Sequence, residues 1–155
     1  MKTHKLLILI VTGASIFLSP VFAGDVKSVT LHPDASNPLA YDAASKSFTV
    51  KAGQQVKVTM ENKSVVPQPH NLIVAKPGTL QKIGALANAM MTDPKAMAKD
   101  YIPTSPDILW HTKLVQPGSS ATLEFTAPSV PGDYPYLCTF PGHWMLMNGV
   151  MKVTK

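Results

Sequence analysis

Most of the chain consists of short segments in which apolar and polar residues alternate, separated by proline, glycine and asparagine. In residues 55–61, Val56, Val58 and Met60 share one side and polar residues share the other, which is typical of a half-buried strand. Many short strands with turn residues between them predict an all-β fold, a Greek-key antiparallel β-sandwich. The other predicted strands cover residues 26–31, 39–41, 47–50, 71–75, 109–115, 121–126, 133–138 and 149–154.

Residues 79–100 do not follow the strand pattern. Their apolar side chains recur at helical spacing, with Thr79 as a candidate N-cap. Asp93-Pro94 can start a second short helix that ends near Lys99. We interpret the segment as a helical excursion between strands, not as a separate domain. The apolar residues of the first helix are Leu80, Ile83, Ala87, Met90 and Met91.

Residues 1–23 have the features of a signal peptide. Lys2 and Lys5 precede an apolar stretch over residues 6–18 that is short for a membrane span. Small residues before Gly24 match a signal-peptidase site, so we predict cleavage after Ala23 and a periplasmic mature protein over residues 24–155. An uncleaved membrane anchor is the alternative interpretation.

The composition disfavours nucleic acid as a partner. The chain has no arginine, the residue best suited to phosphate and guanine contacts. Without Lys2 and Lys5, 12 lysines face 9 acidic residues, and the formal net charge is +3. The lysines are scattered along the chain, so we expect a solvated surface with mild cationic character. We also expect the mature protein to be soluble and a monomer.

The only cysteine, Cys138, is a candidate metal ligand. One cysteine cannot form an intrachain disulfide, and a free exposed thiol is liable to oxidation outside the cytoplasm. His143 and Met147 follow within ten residues, on the far side of a turn at Pro141-Gly142. Thiolate, imidazole and thioether together are ligands that suit copper.

A further ligand has to come from elsewhere in the chain. Of the remaining mature histidines, His70 stands where a loop meets a predicted strand, 68 residues before Cys138. His32 and His111 are interpreted as surface residues. A cysteine-histidine enzyme is disfavoured because the loop offers no acidic residue to orient the histidine. A structural zinc site normally uses more cysteines or histidines than this.

These residues resemble the cupredoxins, the type 1 blue-copper proteins, and most closely azurins and azurin-like auracyanins. Cys138, His143 and Met147 match the family's loop of Cys, four residues, His, three residues, Met. His70-Asn71 matches its upstream ligand, and residues 111–114 (His-Thr-Lys-Leu) match a segment whose histidine is not a ligand. Residues 79–100 lie where azurin has a helical flap.

The resemblance implies one copper ion, held in a trigonal plane by His70, Cys138 and His143, with Met147 as a long axial ligand. It implies electron transport and no enzymatic activity. It also implies a hydrogen bond from Asn71 to the ligand loop near Thr139. Two departures are Pro69, where azurin has glycine, and the lack of the azurin disulfide.

Apolar residues near the ligands predict a surface on which redox proteins dock transiently, with electrons leaving through His143. Trp144 either packs under the loop or extends this apolar rim. The alternative function is copper binding and delivery in the periplasm without a redox role, although Met90, Met91 and Met97 are predicted to pack. The predicted rim comprises Pro141, Gly142, Met145 and Leu146, with Val65, Val66 and Pro67 near His70.

Overall fold

The computed structural model describes residues 25–64 and 66–155, so the predicted signal peptide and Val65 lie outside the described residues. Within that part of the chain, eight strands form two sheets. One sheet has the order β1-β3-β6, with β1 (Lys27–Leu31), β3 (Gln55–Glu61) and β6 (Ser120–Thr126). The other has the order β2-β8-β7-β4-β5, with β2 (Ser47–Lys51), β8 (Asn148–Thr154), β7 (Gly132–Leu137), β4 (Ile73–Ala75) and β5 (Ile108–His111).

The all-β sandwich is confirmed, but its sheets are not purely antiparallel. β1 pairs with β3 in parallel, and β2 pairs with β8 in parallel. Between β1 and β3 the chain leaves for the other sheet, where it forms β2. Such a crossover lets a strand return in the same direction as its neighbour, which a tight hairpin cannot do.

Alternation in β3 gives the sandwich its inner face. Val56, Val58 and Met60 are buried, and Lys57 is exposed. The predicted period of two therefore matches the burial of the strand. The opposite face of the core comes from the five-stranded sheet. Buried residues that meet in this common core include Leu31, Val50, Phe125, Tyr134, Tyr136, Met151 and Val153.

The helical excursion packs on the outer face of the five-stranded sheet. It begins with α1 (Leu80–Ala89), which buries Ile83 against Ile73 and Leu137. Two 3₁₀ turns follow, at Met90–Thr92 and Met97–Lys99. The excursion is confirmed, but Thr79 makes no capping hydrogen bond with its side chain.

The packing prediction for the three methionines holds only for Met90, which is buried. Met91 and Met97 are 59% and 58% exposed, so for them the prediction is wrong. The reason is local: α1 ends at Ala89, and the 3₁₀ turns beyond it do not continue the helical spacing from which the prediction was made. None of the helices in residues 25–64 and 66–155 is long and apolar enough to cross a membrane.

The pairing of β4 with β7 brings two distant parts of the chain to one end of the sandwich. These strands are antiparallel, and Ile73 at the start of β4 lies opposite Leu137 at the end of β7. His70 precedes β4 by three residues, and Cys138 directly follows β7. The two side chains therefore emerge at the same end of the sheet.

Candidate metal centre

Three of the predicted ligands form one compact cluster. His70 Nδ1 lies 3.1 Å from His143 Nδ1, and Cys138 Sγ lies 3.9 Å and 3.7 Å from these two nitrogens. All three side chains are buried, with His143 only 1% exposed. They form the one cluster of candidate metal ligands among the described residues.

The cluster has the dimensions of a metal site. With metal–nitrogen and metal–sulfur bonds of about 2.0 and 2.3 Å, trigonal or tetrahedral angles place nitrogens about 3.3–3.5 Å apart and nitrogen and sulfur about 3.5–3.7 Å apart. The observed separations of 3.1, 3.7 and 3.9 Å depart little from these values. One ion can therefore contact all three atoms with only small shifts of the side chains.

Backbone pairing fixes the position of His70. His70 and Val115 exchange two backbone hydrogen bonds of 3.1 and 2.6 Å. The buried Asn62 side chain donates to the carbonyls of Gln68 and Val115, which holds the loop before His70 against the same segment. The backbone of His70 is thus held by a segment that lies far from Cys138 in the sequence.

The other ligands lie on a closed loop between β7 and β8. The amide of Cys138 donates to the carbonyl of Met147 at 3.0 Å, which joins the two ends of the loop. Met147 in turn donates to the carbonyl of His143 at 2.7 Å. Lys46 Nζ bonds the carbonyl of Leu146 at 2.8 Å. Met147 is fully buried in the same core cluster as Cys138.

Burial sets the protonation of the metal-free cluster. Desolvation, followed by the neighbouring His143, lowers the pKa of His70 to about 4, and desolvation lowers the pKa of His143 to about 4. Both imidazoles are therefore neutral at pH 7 and free to bind a metal. Burial raises the pKa of the Cys138 thiol to about 12, so metal binding has to displace its proton.

Hydrogen bonds support the sulfur ligand. Backbone amides of Asn71 and Phe140 face Cys138 and oppose the rise of its pKa. The predicted contact between Asn71 and the ligand loop is confirmed. Thr139 N donates to Asn71 Oδ1 at 2.8 Å, and Asn71 Nδ2 donates to Thr139 Oγ1 at 2.9 Å. Such outer contacts orient metal ligands.

Residues 28–154 match the model of the copper binding proteins of the plastocyanin/azurin family. The chain belongs to this family. Auracyanin-A of Chloroflexus aurantiacus is 36% identical to this cupredoxin over 116 residues, which cover 74% of the chain and 67% of the relative. Azurin of Achromobacter denitrificans is 28% identical over 164 residues, 99% of each chain.

A solved structure of auracyanin A from Chloroflexus aurantiacus, described as a "blue" copper protein, has the same fold. It superposes on this cupredoxin with a TM-score of 0.71 at 32% identity, over 84% of this chain and all of the other. Copper is accordingly the cofactor, and the arrangement of His70, Cys138, His143 and Met147 matches a type 1 copper site. By family, the cupredoxin is a copper electron-transfer protein.

Trp144, which the sequence left unassigned, packs between the cupredoxin's ligand loop and α1. Its Nε1 donates to Asn88 Oδ1 at 2.9 Å. A Cβ added to Gly84 would lie 2.4 Å from the indole ring, so only glycine leaves room for Trp144 on this face of α1. The sequence signal for this contact was Gly84 itself. Glycine destabilises the interior of a helix relative to alanine, so its presence there indicates that a neighbouring group needs the space.

The surface around the cupredoxin's site is partly as predicted. Met145 and Leu146 are 62% and 48% exposed, but His143 itself is almost fully covered. His111 is exposed and His32 is half-buried, and neither belongs to the ligand cluster.

Proposed function

We propose that the chain is an exported blue-copper electron carrier that shuttles single electrons between redox partners in the periplasm. The observation that carries this proposal is the buried cluster of His70 Nδ1, Cys138 Sγ and His143 Nδ1, whose ligand atoms all lie within 4.8 Å of one another. The predicted signal peptide, residues 1–23, supports export, which would also account for a lone cysteine protected inside a metal site.

In this proposal His70, Cys138 and His143 are the three equatorial ligands, and the buried Met147 is the axial one. Bound copper would supply a one-electron couple between Cu(I) and Cu(II). The protein holds its ligands on two separately anchored segments, the His70–Val115 pair and the closed loop after β7. A site held in this way can change charge with little movement of its ligands, which favours rapid transfer.

Burial of the donor atoms keeps water and substrates away from the site. Cys138 is fully buried, so its sulfur cannot reach a substrate, and we propose no catalytic role. Electrons would leave through His143, beneath the apolar rim that includes Met145 and Leu146. A small apolar patch suits brief docking of a redox protein.

The visible absorption spectrum of the copper-loaded mature protein tests this function. We expect an intense band from charge transfer between the Cys138 thiolate and Cu(II). Cys138→Ser should abolish the band, whereas His111→Ala, which removes a histidine outside the cluster, should retain it. Metal content has to be assayed in parallel because zinc can occupy the same ligands. A colourless wild-type protein with a full complement of copper would contradict the proposal.

Copper delivery without a redox role is the second candidate function. The exposure of Met91 and Met97 favours it, because accessible thioethers can bind Cu(I). A delivery protein should lose copper quickly to a chelator, whereas an electron carrier should retain copper and show fast self-exchange. Replacement of Met91 and Met97 by leucine should slow copper loss only if delivery is the function.

A further inference from the structure

The helical excursion ends in an unusual backbone conformation. Asp100 and Tyr101 are consecutive residues with φ of +53° and +52°, in the left-handed region. Few non-glycine residues adopt this region, and a bulky aromatic residue there is an outlier. Such conformations cost free energy and persist where the surrounding contacts hold them.

The two left-handed residues present their carbonyls to the pair that supports the sulfur ligand. Asp100 O accepts a hydrogen bond from Asn71 Nδ2 at 2.8 Å. Tyr101 O accepts one from Thr139 Oγ1 at 2.6 Å. Asn71 precedes β4 and Thr139 follows Cys138, so the turn contacts both segments that carry ligands.

The side chains of the turn add two more contacts. Asp100 Oδ1 accepts from the amide of Leu114 at 3.1 Å. The Tyr101 ring meets Phe140 edge-on, with ring centroids 5.3 Å apart, and Phe140 meets His143 in the same way at 5.0 Å. The turn is thereby anchored on one side and packed against the ligand loop on the other.

Counting hydrogens shows that these bonds form one consistent set. The two hydrogens of Asn71 Nδ2 go to Asp100 O and Thr139 Oγ1, and Asn71 Oδ1 accepts the amide of Thr139. The single hydroxyl hydrogen of Thr139 then goes to Tyr101 O, the nearer of its two possible acceptors. A flipped Asn71 amide would place its NH₂ against the Thr139 amide and its oxygen against the Asp100 carbonyl, so these two contacts together select the observed orientation.

We propose that the left-handed pair Asp100–Tyr101 is a positioning element, which orients Asn71 and Thr139 and so holds Cys138 in place before copper binds. The proposal rests on the proposed copper function for its purpose, but the positioning itself belongs to the metal-free protein. Through it, the helical excursion becomes part of the support of the metal site.

Hydrogen exchange of the Thr139 amide in the metal-free mature protein tests the proposal. Asp100→Ala removes the acceptor for Leu114 and disfavours the left-handed conformation, and we expect exchange at Thr139 to become about tenfold faster relative to the amides of β3. Asp100→Asn should restore near wild-type exchange, because asparagine tolerates this conformation and keeps an acceptor.

Asp93→Ala is the matched control. Asp93 lies in the same excursion and bonds the Lys95 amide and the Lys99 ammonium, but neither bond reaches the metal site. It should therefore leave exchange at Thr139 unchanged. After copper loading, Asp100→Ala should also shift the visible band and speed copper loss, whereas Asp93→Ala should do neither.

Asp100→Gly separates the effect of the left-handed backbone conformation from that of the Asp100 side chain. It also replaces the alanine variant in the test if that variant does not fold. Glycine enters the left-handed region freely, so exchange should lie between the wild-type and Asp100→Ala rates. Unchanged Thr139 exchange in both variants would overturn the proposal. Equal acceleration in both would assign the effect to the Leu114 bond alone and would likewise overturn it. Loss of copper colour in every protein, wild type included, would instead contradict the proposed function.

Discussion

The Nδ1 atoms of His70 and His143 lie 3.1 Å apart although 73 residues separate the two histidines in the chain. Both rings are buried, and neither has a carboxylate in the ligand cluster to balance a positive charge. Two imidazoles in this position are compatible when both are neutral or when they share a metal ion. This arrangement links the stability of the metal-free protein to pH.

Acid should destabilise the metal-free protein. The pKa of each histidine is about 4 in the folded protein, below the usual 6.5, so the unfolded chain binds these protons first. The free energy of unfolding should therefore fall as pH drops from about 6.5 towards 4, by about 1.4 kcal/mol per pH unit for each histidine, and the two histidines should add no pH dependence above this range.

Urea unfolding at a series of pH values measures this dependence. His143→Gln removes one of the two titrating rings and should reduce the slope between about pH 6.5 and 4. The wild type and the variant have the same carboxylates, so the difference between their two slopes is the contribution of His143. The same slope in the variant and in the wild type would show that these rings do not control the acid sensitivity.

Met147→Leu should keep the blue colour and raise the reduction potential. Leucine has a similar volume in the core, so the free energy of unfolding should change by less than about 1.5 kcal/mol. Leucine removes the axial electron donor and leaves an apolar surface, which disfavours the more highly charged Cu(II) ion relative to Cu(I). Cyclic voltammetry measures the shift, and an unchanged potential would argue against an axial role for Met147.

Met145→Lys should slow electron transfer to a partner while leaving the spectrum unchanged. Met145 is 62% exposed beside His143, so a charge there disturbs docking without touching the ligands. Val130→Lys is the matched control, because Val130 is 65% exposed and precedes β7 at the end away from Cys138. Stopped-flow rates should fall only for Met145→Lys. A lost spectrum would place Met145 in the site instead of on its surface.

Gly84→Ala should destabilise the protein although alanine favours helices by about 1 kcal/mol. The added methyl would lie 2.4 Å from the Trp144 ring, and overpacking of this kind costs about 1–3 kcal/mol. In a Trp144→Ala background the clash is absent, so the same substitution should become stabilising by about 1 kcal/mol. Thermal unfolding of the wild type, the two single variants and the double variant measures the effect of Gly84→Ala in each background. Destabilisation in both backgrounds would contradict the packing argument.

Local patterns determined much of the fold and the candidate site. Alternation in residues 55–61 placed Val56, Val58 and Met60 on the inner face because a strand has a period of two. The chemistry and spacing of Cys138, His143 and Met147 identified a copper loop without any tertiary information, since these ligands lie close together in the chain. Selecting His70 rested on its place where a loop meets a predicted strand and on the resemblance to the cupredoxins.

Contacts between segments that are far apart in the sequence became known only from the tertiary structure. The sequence could not place Trp144, because its neighbours Gly84 and Asn88 lie on a helix about sixty residues earlier. It did not show that Met91 and Met97 would be exposed, since the end of α1 interrupts the helical spacing. The predicted ligands Cys138, His143 and Met147 could be read from residue types and spacing. The support of these ligands could not, because the bonds to Asn71 and Thr139 come from backbone carbonyls at Asp100 and Tyr101, and every residue type has a carbonyl.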